Sequence, residues 1–401
     1  MDHKLNLKKQ LGCIYTCNFF SGLRITDAVW VALLAARGFS LFEIGLAESV
    51  YHVVSLLFEV PSGMAADLLG RKKTLVLGGV LVVLYSLLMA FAPDIFLICL
   101  AMGLCALSNT MFSGTYSALV YDSLKQAGRE EDYIQVSANS SQISMAAGSL
   151  GSLASLLSRT LSFPGFYLLN AALEGTSTVA TLLLEEPIVT EAQADREAQT
   201  LRSLPGRFAA LMRDSIAALR TTPLAAKLIL SSAVISVPTY LTKMFLQQRL
   251  VELGWRTEWL FLPLLLGCLA TMLGTEVGRR VHPGSLRRFY ALCALLCGTG
   301  CVLVGAAPAL AGVLGCMLIE GSLEVWLLHE SQKLNDIIPS DQRATLISVD
   351  GMAYSLLMIP ASPLVGAVGD AFGQAGAGLA LLGGVIVLSG VALLGKKPQE
   401  S

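Results

Sequence analysis

The chain has 401 residues, of which 54% are hydrophobic and 14% charged, and its mean hydropathy is +0.65. A soluble domain carries about 25% charged residues, so this composition excludes a disordered chain and argues against a soluble enzyme. A formal net charge of −1, with no basic block, excludes a nucleic-acid binder.

Residues 74–93, 95–121, 133–158, 289–319 and 371–395 contain no charged side chain. Each run matches or exceeds the roughly 20 apolar residues that a membrane-spanning helix needs. In chain order the apolar runs predict twelve spans, at about 11–36, 42–64, 73–93, 95–122, 135–158, 163–184, 223–246, 257–278, 286–307, 309–332, 344–366 and 371–394. The runs do not alternate, and lipid leaves no partner for backbone groups, so the spans are helices and the fold class is all-α integral membrane. Arg24 and Asp27 interrupt the first run and would spoil a signal peptide, so it reads as a retained helix.

Most of the 28 Lys and Arg fall in the termini and the even-numbered loops, leaving Arg37, Arg159, Lys243, Arg249 and Arg256 for the opposite face. That bias predicts that both termini face the cytoplasm. A polar stretch at 185–222 divides the chain into six-helix bundles at 1–184 and 223–401, and its Ala/Leu/Glu/Arg-rich part from Ala194 to Arg220 predicts an amphipathic surface helix. The nine cysteines all lie in apolar runs. Cys293, Cys297 and Cys301 share a helix face, but no His or carboxylate joins them, so they read as packing residues and no metal site is expected.

The two halves carry a repeat. Leu119-Val-Tyr-Asp122-Ser123-Leu-Lys125 ends the fourth span, and Leu327-Leu-His-Glu330-Ser331-Gln-Lys333 ends the tenth, 208 residues later. The same offset carries Gly70-Arg71-Lys72 onto Gly278-Arg279-Arg280. Two parallel six-helix halves are the plan of many secondary transporters, which bind substrate near mid-membrane.

The sharpest motif is Gly63-Met-Ala-Ala-Asp67-Leu-Leu-Gly70-Arg71-Lys72-Lys73, between spans two and three. Gly63 would allow close helix approach, and Gly70 a tight turn. Asp67 can accept from Arg71 or cap a helix, and Arg71 can reach Asp122 at the end of span four. This segment resembles the signature loop of the major facilitator superfamily, G-x-x-x-D-x-x-G-R-[KR], with Leu68 where a basic residue is usual. The resemblance covers the whole chain. It implies the twelve-span fold and an inter-helix charge network of Asp67, Arg71 and Asp122 that favours one conformation. Gly63, Gly70, Lys72 and, in the second copy, Gly278, Arg279 and Glu330 complete the implied gating set. The segments from Ser113-Gly114 through Tyr121-Asp122-Ser123-Leu-Lys125 and Ile338-Pro-Ser340-Asp-Gln-Arg343-Ala look like a bacterial branch near the drug:proton antiporters. Residues 97–117 lack that branch's buried Arg, and Gly148-Ser-Leu-Gly151 lacks its Pro.

A charge at a helix centre costs about 2.5–3.5 kcal/mol on insertion scales, so such residues normally face a partner or a cavity. Arg24 and Asp27 lie at i, i+3 on a face with Thr16 and Phe20. Either they neutralise each other, or Asp27 takes a proton or a cationic group that Arg24 tunes. Glu320 and Glu324 lie one turn apart with no basic residue on their own span. Two such charges cannot both be carried cheaply in low dielectric, which suits proton carriage. Asp350, at the repeat equivalent of Gln142, is a fourth proton-coupling candidate.

By the resemblance, spans one, four, seven and ten line the cavity. They offer Arg24; Asn109, Ser113 and Tyr116; and Ser232, Ser236 and Tyr240 as substrate-binding candidates, with Thr239 and Lys243 on the same stripe of span seven and Pro238 as a kink. No H-E-x-x-H, G-x-S-x-G or P-loop pattern occurs, which disfavours an intramembrane enzyme or an ATP-driven pump. The expected function is secondary transport of a small molecule by alternating access, as proton-coupled efflux of an amphipath. Uptake by symport or uniport, and a transport-inactive sensor or lipid-handling relative, are the alternatives. The expected setting is a monomer in the bacterial cytoplasmic membrane, with the proton gradient in place of a cofactor.

Overall fold

The computed structural model describes residues 5–188, 213, 222–337 and 343–395, and all their side chains except those of Val60, Asp67 and residues 343–348 and 395. The expected surface helix at 194–220, the 338–342 segment and Lys396–Lys397 lie outside the described residues, apart from Arg213. Helices account for nearly all of the rest. They are α1 (Leu7–Gly22), α2 (Trp30–Ala36), α3 (Leu41–Leu69), α4 (Arg71–Phe91), α5 (Ile95–Phe112), α6 (Thr115–Gln126), α7 (Tyr133–Ser152) and α8 (Phe163–Leu182). After the linker come α9 (Pro223–Glu252), α10 (Phe261–Arg280), α11 (Leu286–Ala306), α12 (Ala309–Ile337), α13 (Arg343–Ala371) and α14 (Gly376–Gly395).

Among the described residues, nine helices are long and apolar enough to cross a membrane. The first, fifth and sixth expected spans do not reach that standard, for physical reasons. The first is broken at 23–29 into two short helices, and α7 and α8 carry polar residues such as Gln135, Asn139, Gln142, Asn170 and Glu174. Large apolar side chains that elsewhere would be buried stay on the outside: Phe96 and Leu310 are each 72% exposed. That is the pattern of a protein whose solvent is hydrocarbon.

Local chemistry sets the helix starts. Asp94 accepts from the N–H of Leu97 at 3.0 Å, opening α5, and Ser162 accepts from Gly165 at 3.3 Å, opening α8 with Pro164 in its first turn. At α3, Ser40 Oγ accepts from Glu43 N (3.1 Å) while Glu43 Oε2 accepts from Ser40 N (2.8 Å), a reciprocal capping box. Asp370 takes the next two N–H groups, of Leu41 and Phe42, at 2.9 and 2.8 Å. Gly70 stands between α3 and α4 at φ +99°, a conformation that a side chain would strain.

The chain forms two compact units. One comprises residues 1–27 and 50–212, the other 28–49 and 213–401, so the boundary falls within α3. In the first unit α1 packs on α7 and α8, and α4 on α5 and α8. A cluster of Ile14, Leu75, Leu119, Val120, Leu124, Val136 and Leu184 lies at its core. In the second unit α11 packs on α12 and α14, α10 on α12, and α9 on α12 and α13. Backbones there approach closely through small residues: a Cβ on Gly300 would stand 2.6 Å from the Gly315 carbonyl oxygen.

Candidate functional site

Three polar constellations stand out. The first, in the first unit, is built at the start of α4. The guanidinium of Arg71 lies 2.8 Å from Asp122 at the end of α6, with the two side chains only 16% and 10% exposed. The same Arg71 offers its backbone N–H to Glu186 at 2.9 Å, and Lys72 offers its own to the second Glu186 oxygen at 2.7 Å. A carboxylate on a helix N-terminus satisfies otherwise orphaned donors and meets the positive end of the helix dipole. Gln10 of α1 ties the neighbouring chain in: its amide donates to Ser123 Oγ (3.0 Å) and to the Glu185 carbonyl (2.9 Å), and its own oxygen accepts from Glu185 N (2.9 Å). The side chain of Asp67 lies outside what the structure describes. Gly63 does not serve close helix approach: it is exposed, and a Cβ there would meet nothing within 4 Å.

The repeat does not reproduce this cluster. Arg279 bonds Glu276 on its own helix at 3.3 Å, and Gly278 lies inside α10, packed against Leu328, where Gly70 ends a helix. Glu330, the counterpart of Asp122, is buried beside the Ser232 hydroxyl of α9 and within electrostatic reach of Asp350 on α13. The ring nitrogens of His329 lie 3.0 and 2.9 Å from the carbonyl oxygens of Val325 and Val281.

The second constellation surrounds the break in the first span. Arg24 and Asp27 do not share a helix face with Thr16 and Phe20. They stand in the non-helical segment 23–29, both exposed, with Arg24 at φ +41°. A non-glycine residue in that region is uncommon and costs about 1–2 kcal/mol, so the surrounding structure imposes it. Close packing accompanies the break: Gly151 of α7 lies against the Leu23 backbone, with no room for a Cβ. The break brings both charges within electrostatic reach of the buried Glu174 on α8. Below it, Asn170 donates to Ser86 at 2.9 Å. Span four is also interrupted, at Ser113–Gly114, with Gly114 at φ +69°. Asn109, Ser113 and Tyr116 therefore do not form one continuous helical stripe. Asn109 donates to Cys105 Sγ (3.6 Å), Ser113 to Glu59 Oε1 (2.9 Å), and the Tyr116 hydroxyl to the Ile14 carbonyl (3.3 Å).

The third constellation belongs to the second unit. Lys243 of α9 lies 2.8 Å from Glu320 Oε1 of α12, so the cation that span ten lacks comes from span seven. Glu324, one turn on, accepts from Thr275 of α10 at 3.1 Å. The two carboxylates thus have different partners. On α9 Ser232 is buried, Ser236 is half-buried and Tyr240 is 37% exposed.

Sequence reading missed one of these residues, Glu186, and the partner of another, Lys243. Glu186 lies just past the sixth span, beside Pro187, where it reads as the start of a polar linker. Lys243 reads both as part of span seven's polar stripe and as a topology charge, but its Glu320 partner does not show in the sequence. The signal available for Lys243 itself was position: Lys243 and Tyr240 occupy the same face of one helix, three residues apart.

The family model of the Major Facilitator Superfamily matches residues 12–327. The uncharacterised MFS-type transporter YxaM of Bacillus subtilis (strain 168) is 28% identical over 152 residues, 36% of this chain and 37% of that protein, so the match spans little more than a third of this relative. Among solved structures, the nucleoside transporter NupG aligns with a TM-score of 0.74 at 17% identity, covering 98% of this chain and 100% of that one. A POT family transporter in complex with 5-aminolevulinic acid aligns with a TM-score of 0.68 at 16% identity, covering 96% and 95%. At these identities the likeness is one of fold.

Proposed function

Because the chain belongs to the Major Facilitator Superfamily, we propose that it is a secondary transporter that moves a small molecule by alternating access, coupled to protons. It is a multi-pass membrane protein; the reading places twelve spans in a bacterial cytoplasmic membrane with both termini inside, and the substrate-binding candidates on spans one, four and seven. Fold alone does not supply a substrate. The observation that carries the reading is the set of carboxylates held inside apolar helices: Glu174, Glu320 and Glu330 are all buried. Charges in such places are expensive and are retained for ion or substrate pathways. Asp27, Glu320, Glu324 and Asp350 are the proton-coupling candidates, and the Arg71–Asp122 pair, with Glu186, is the gate.

Direction follows the drug:proton branch in this reading: export of an amphipathic compound in exchange for protons. Uptake by proton symport is the second reading, and Lys243 favours it. Its ion pair leaves Glu320 already neutralised, which weakens the case for a cationic cargo of the drug-exporter kind.

Reconstitution in vesicles with an imposed pH gradient and an interior pH dye tests the proposal. A panel of cationic amphipaths, sugars, amino acids and monocarboxylates is added in turn. A compound that dissipates the gradient only when the protein is present supports proton-coupled transport. A compound that is carried while the gradient is left untouched rules coupling out.

A further inference from the structure

Asp122 and Glu330 hold equivalent places in the two halves of the sequence, but the chain treats them differently. Asp122 is neutralised by Arg71 at 2.8 Å. Arg279, which stands where the repeat puts Arg71, bonds Glu276 instead. Glu330 is buried all the same, at 5% exposed. No described residue forms an ion pair with it. Lys227 and Lys333, the nearest cations along α9 and α12, are exposed, and the charge that reaches Glu330 is a second carboxylate, Asp350 of α13.

The rest of its polar surroundings is oxygen. Ser232 of α9 lies beside it and is 2% exposed. Neither Ser232 Oγ nor Glu330 Oε1 has a partner within hydrogen-bonding geometry. Buried polar groups are almost always satisfied in folded proteins, and a carboxylate left alone in an apolar interior is among the costliest of unmet groups. Two such groups side by side call for a partner from outside the chain. Three helices of the second unit, α9, α12 and α13, each bring one oxygen-bearing side chain to this place, without nitrogen or sulfur. An all-oxygen donor set suits a hard cation.

We infer that Glu330, with Ser232 and Asp350, binds a sodium ion, which does in the second unit what the Arg71 guanidinium does in the first. Glu330 and Ser232 supply ligating oxygens: a carboxylate accepts only, and a hydroxyl keeps two acceptor lone pairs. Asp350 adds a second negative charge to the field. One positive charge is sufficient, because Glu330 is fully buried whereas Asp350 is half-buried and keeps access to solvent. Loading ties α9 to α12 at the end of span ten, as Arg71 ties α4 to α6. The inference goes beyond the transport reading above. It concerns binding alone, and neither the direction of transport nor proton coupling at Glu320 enters it.

The test is thermal unfolding of the full chain in detergent, at one alkaline pH and constant ionic strength, as sodium chloride replaces choline chloride. Sodium should raise the wild-type midpoint by about 2–4 °C and then saturate, since a ligand held only by the folded state stabilises it. Glu330→Gln keeps the shape, removes the charge and should abolish the response. Asp350→Asn and Ser232→Ala should each weaken the sodium affinity several-fold and leave a response. Binding of radioactive sodium to the same purified proteins gives a readout that does not depend on their midpoints. A wild type indifferent to sodium in both measurements would mean that a proton alone neutralises Glu330, and overturns the inference. Sodium binding retained in Glu330→Gln overturns it as well. Stabilisation by methylammonium but not by sodium would put an organic ammonium on Glu330, and the sodium site would fall.

Discussion

Arg71 meets Asp122 through its guanidinium at 2.8 Å while its backbone N–H is held by Glu186 at 2.9 Å. The first residue of α4 is thereby fixed from two directions, by the end of α6 and by the segment that follows α8. Contacts of this kind are either made or broken, because neither can stretch gradually without stranding a partly buried charge.

Asp122→Asn and Arg71→Ala should each slow turnover at least several-fold while the protein still accumulates in the membrane. Removing one partner of a fully buried pair costs about 3–5 kcal/mol, and the residual exposure here brings the cost below that. Transport rate per reconstituted molecule is the measurement. Unchanged rates in both variants would remove the gate assignment.

Glu186→Ala takes away both capping bonds and the favourable charge at the start of α4. Caps of this type are worth about 1 kcal/mol, and a charge at a helix end about 0.3–1 kcal/mol. The thermal unfolding midpoint should fall by a few degrees, and Glu186→Gln should recover only part of the loss, because it restores one acceptor and no charge. Equal midpoints for Gln and Glu would show that the dipole plays no part.

Lys243→Gln should destabilise the fold more than Lys243→Gln/Glu320→Gln does, since only the single variant strands a carboxylate that is 7% exposed. A double-mutant cycle on thermal midpoints reads the coupling, with an interaction term of about 0.5–3 kcal/mol expected for contacting residues. Additive effects would mean that the pair contributes nothing to stability.

Gly300→Val should prevent proper folding of the second unit. Its Cβ would stand 2.6 Å from a backbone carbonyl on Gly315, and backbone cannot move aside as a side chain can. Overpacking of well-packed interiors costs about 1–3 kcal/mol and more where backbone is involved. Gly384→Ala is the matched control, because a Cβ there meets nothing within 4 Å. Size-exclusion profiles of the two variants should differ accordingly.

The membrane class was legible from uncharged runs alone, since their length and lack of alternation leave a helix as the main option. The Arg71–Asp122 contact was legible from motif spacing and the repeat. What escaped sequence reading has a common cause: tertiary packing decides it. Helical periodicity placed Arg24 and Asp27 on one face, but contact between Gly151 and the Leu23 backbone accompanies a break that no local pattern announces. The Asn109–Ser113–Tyr116 stripe fails because Gly114 turns at φ +69° in the middle of it. Repeat symmetry promised a second gate at Arg279 and Glu330, yet Glu276, one turn back on the same helix, bonds the arginine. Lys243 and Glu320 are 77 positions apart in sequence, a separation at which only the packing of α9 on α12 could reveal the pair.

The most direct measurement is solute-driven proton movement in vesicles clamped at zero membrane potential, compared between wild type and Glu320→Gln. A substrate found in the panel assay should shift the interior pH with the wild type. With Glu320→Gln the same substrate should still exchange across the membrane by counterflow, but without moving protons. Proton movement of equal size in both proteins would contradict the account and transfer coupling to Asp27 or Asp350.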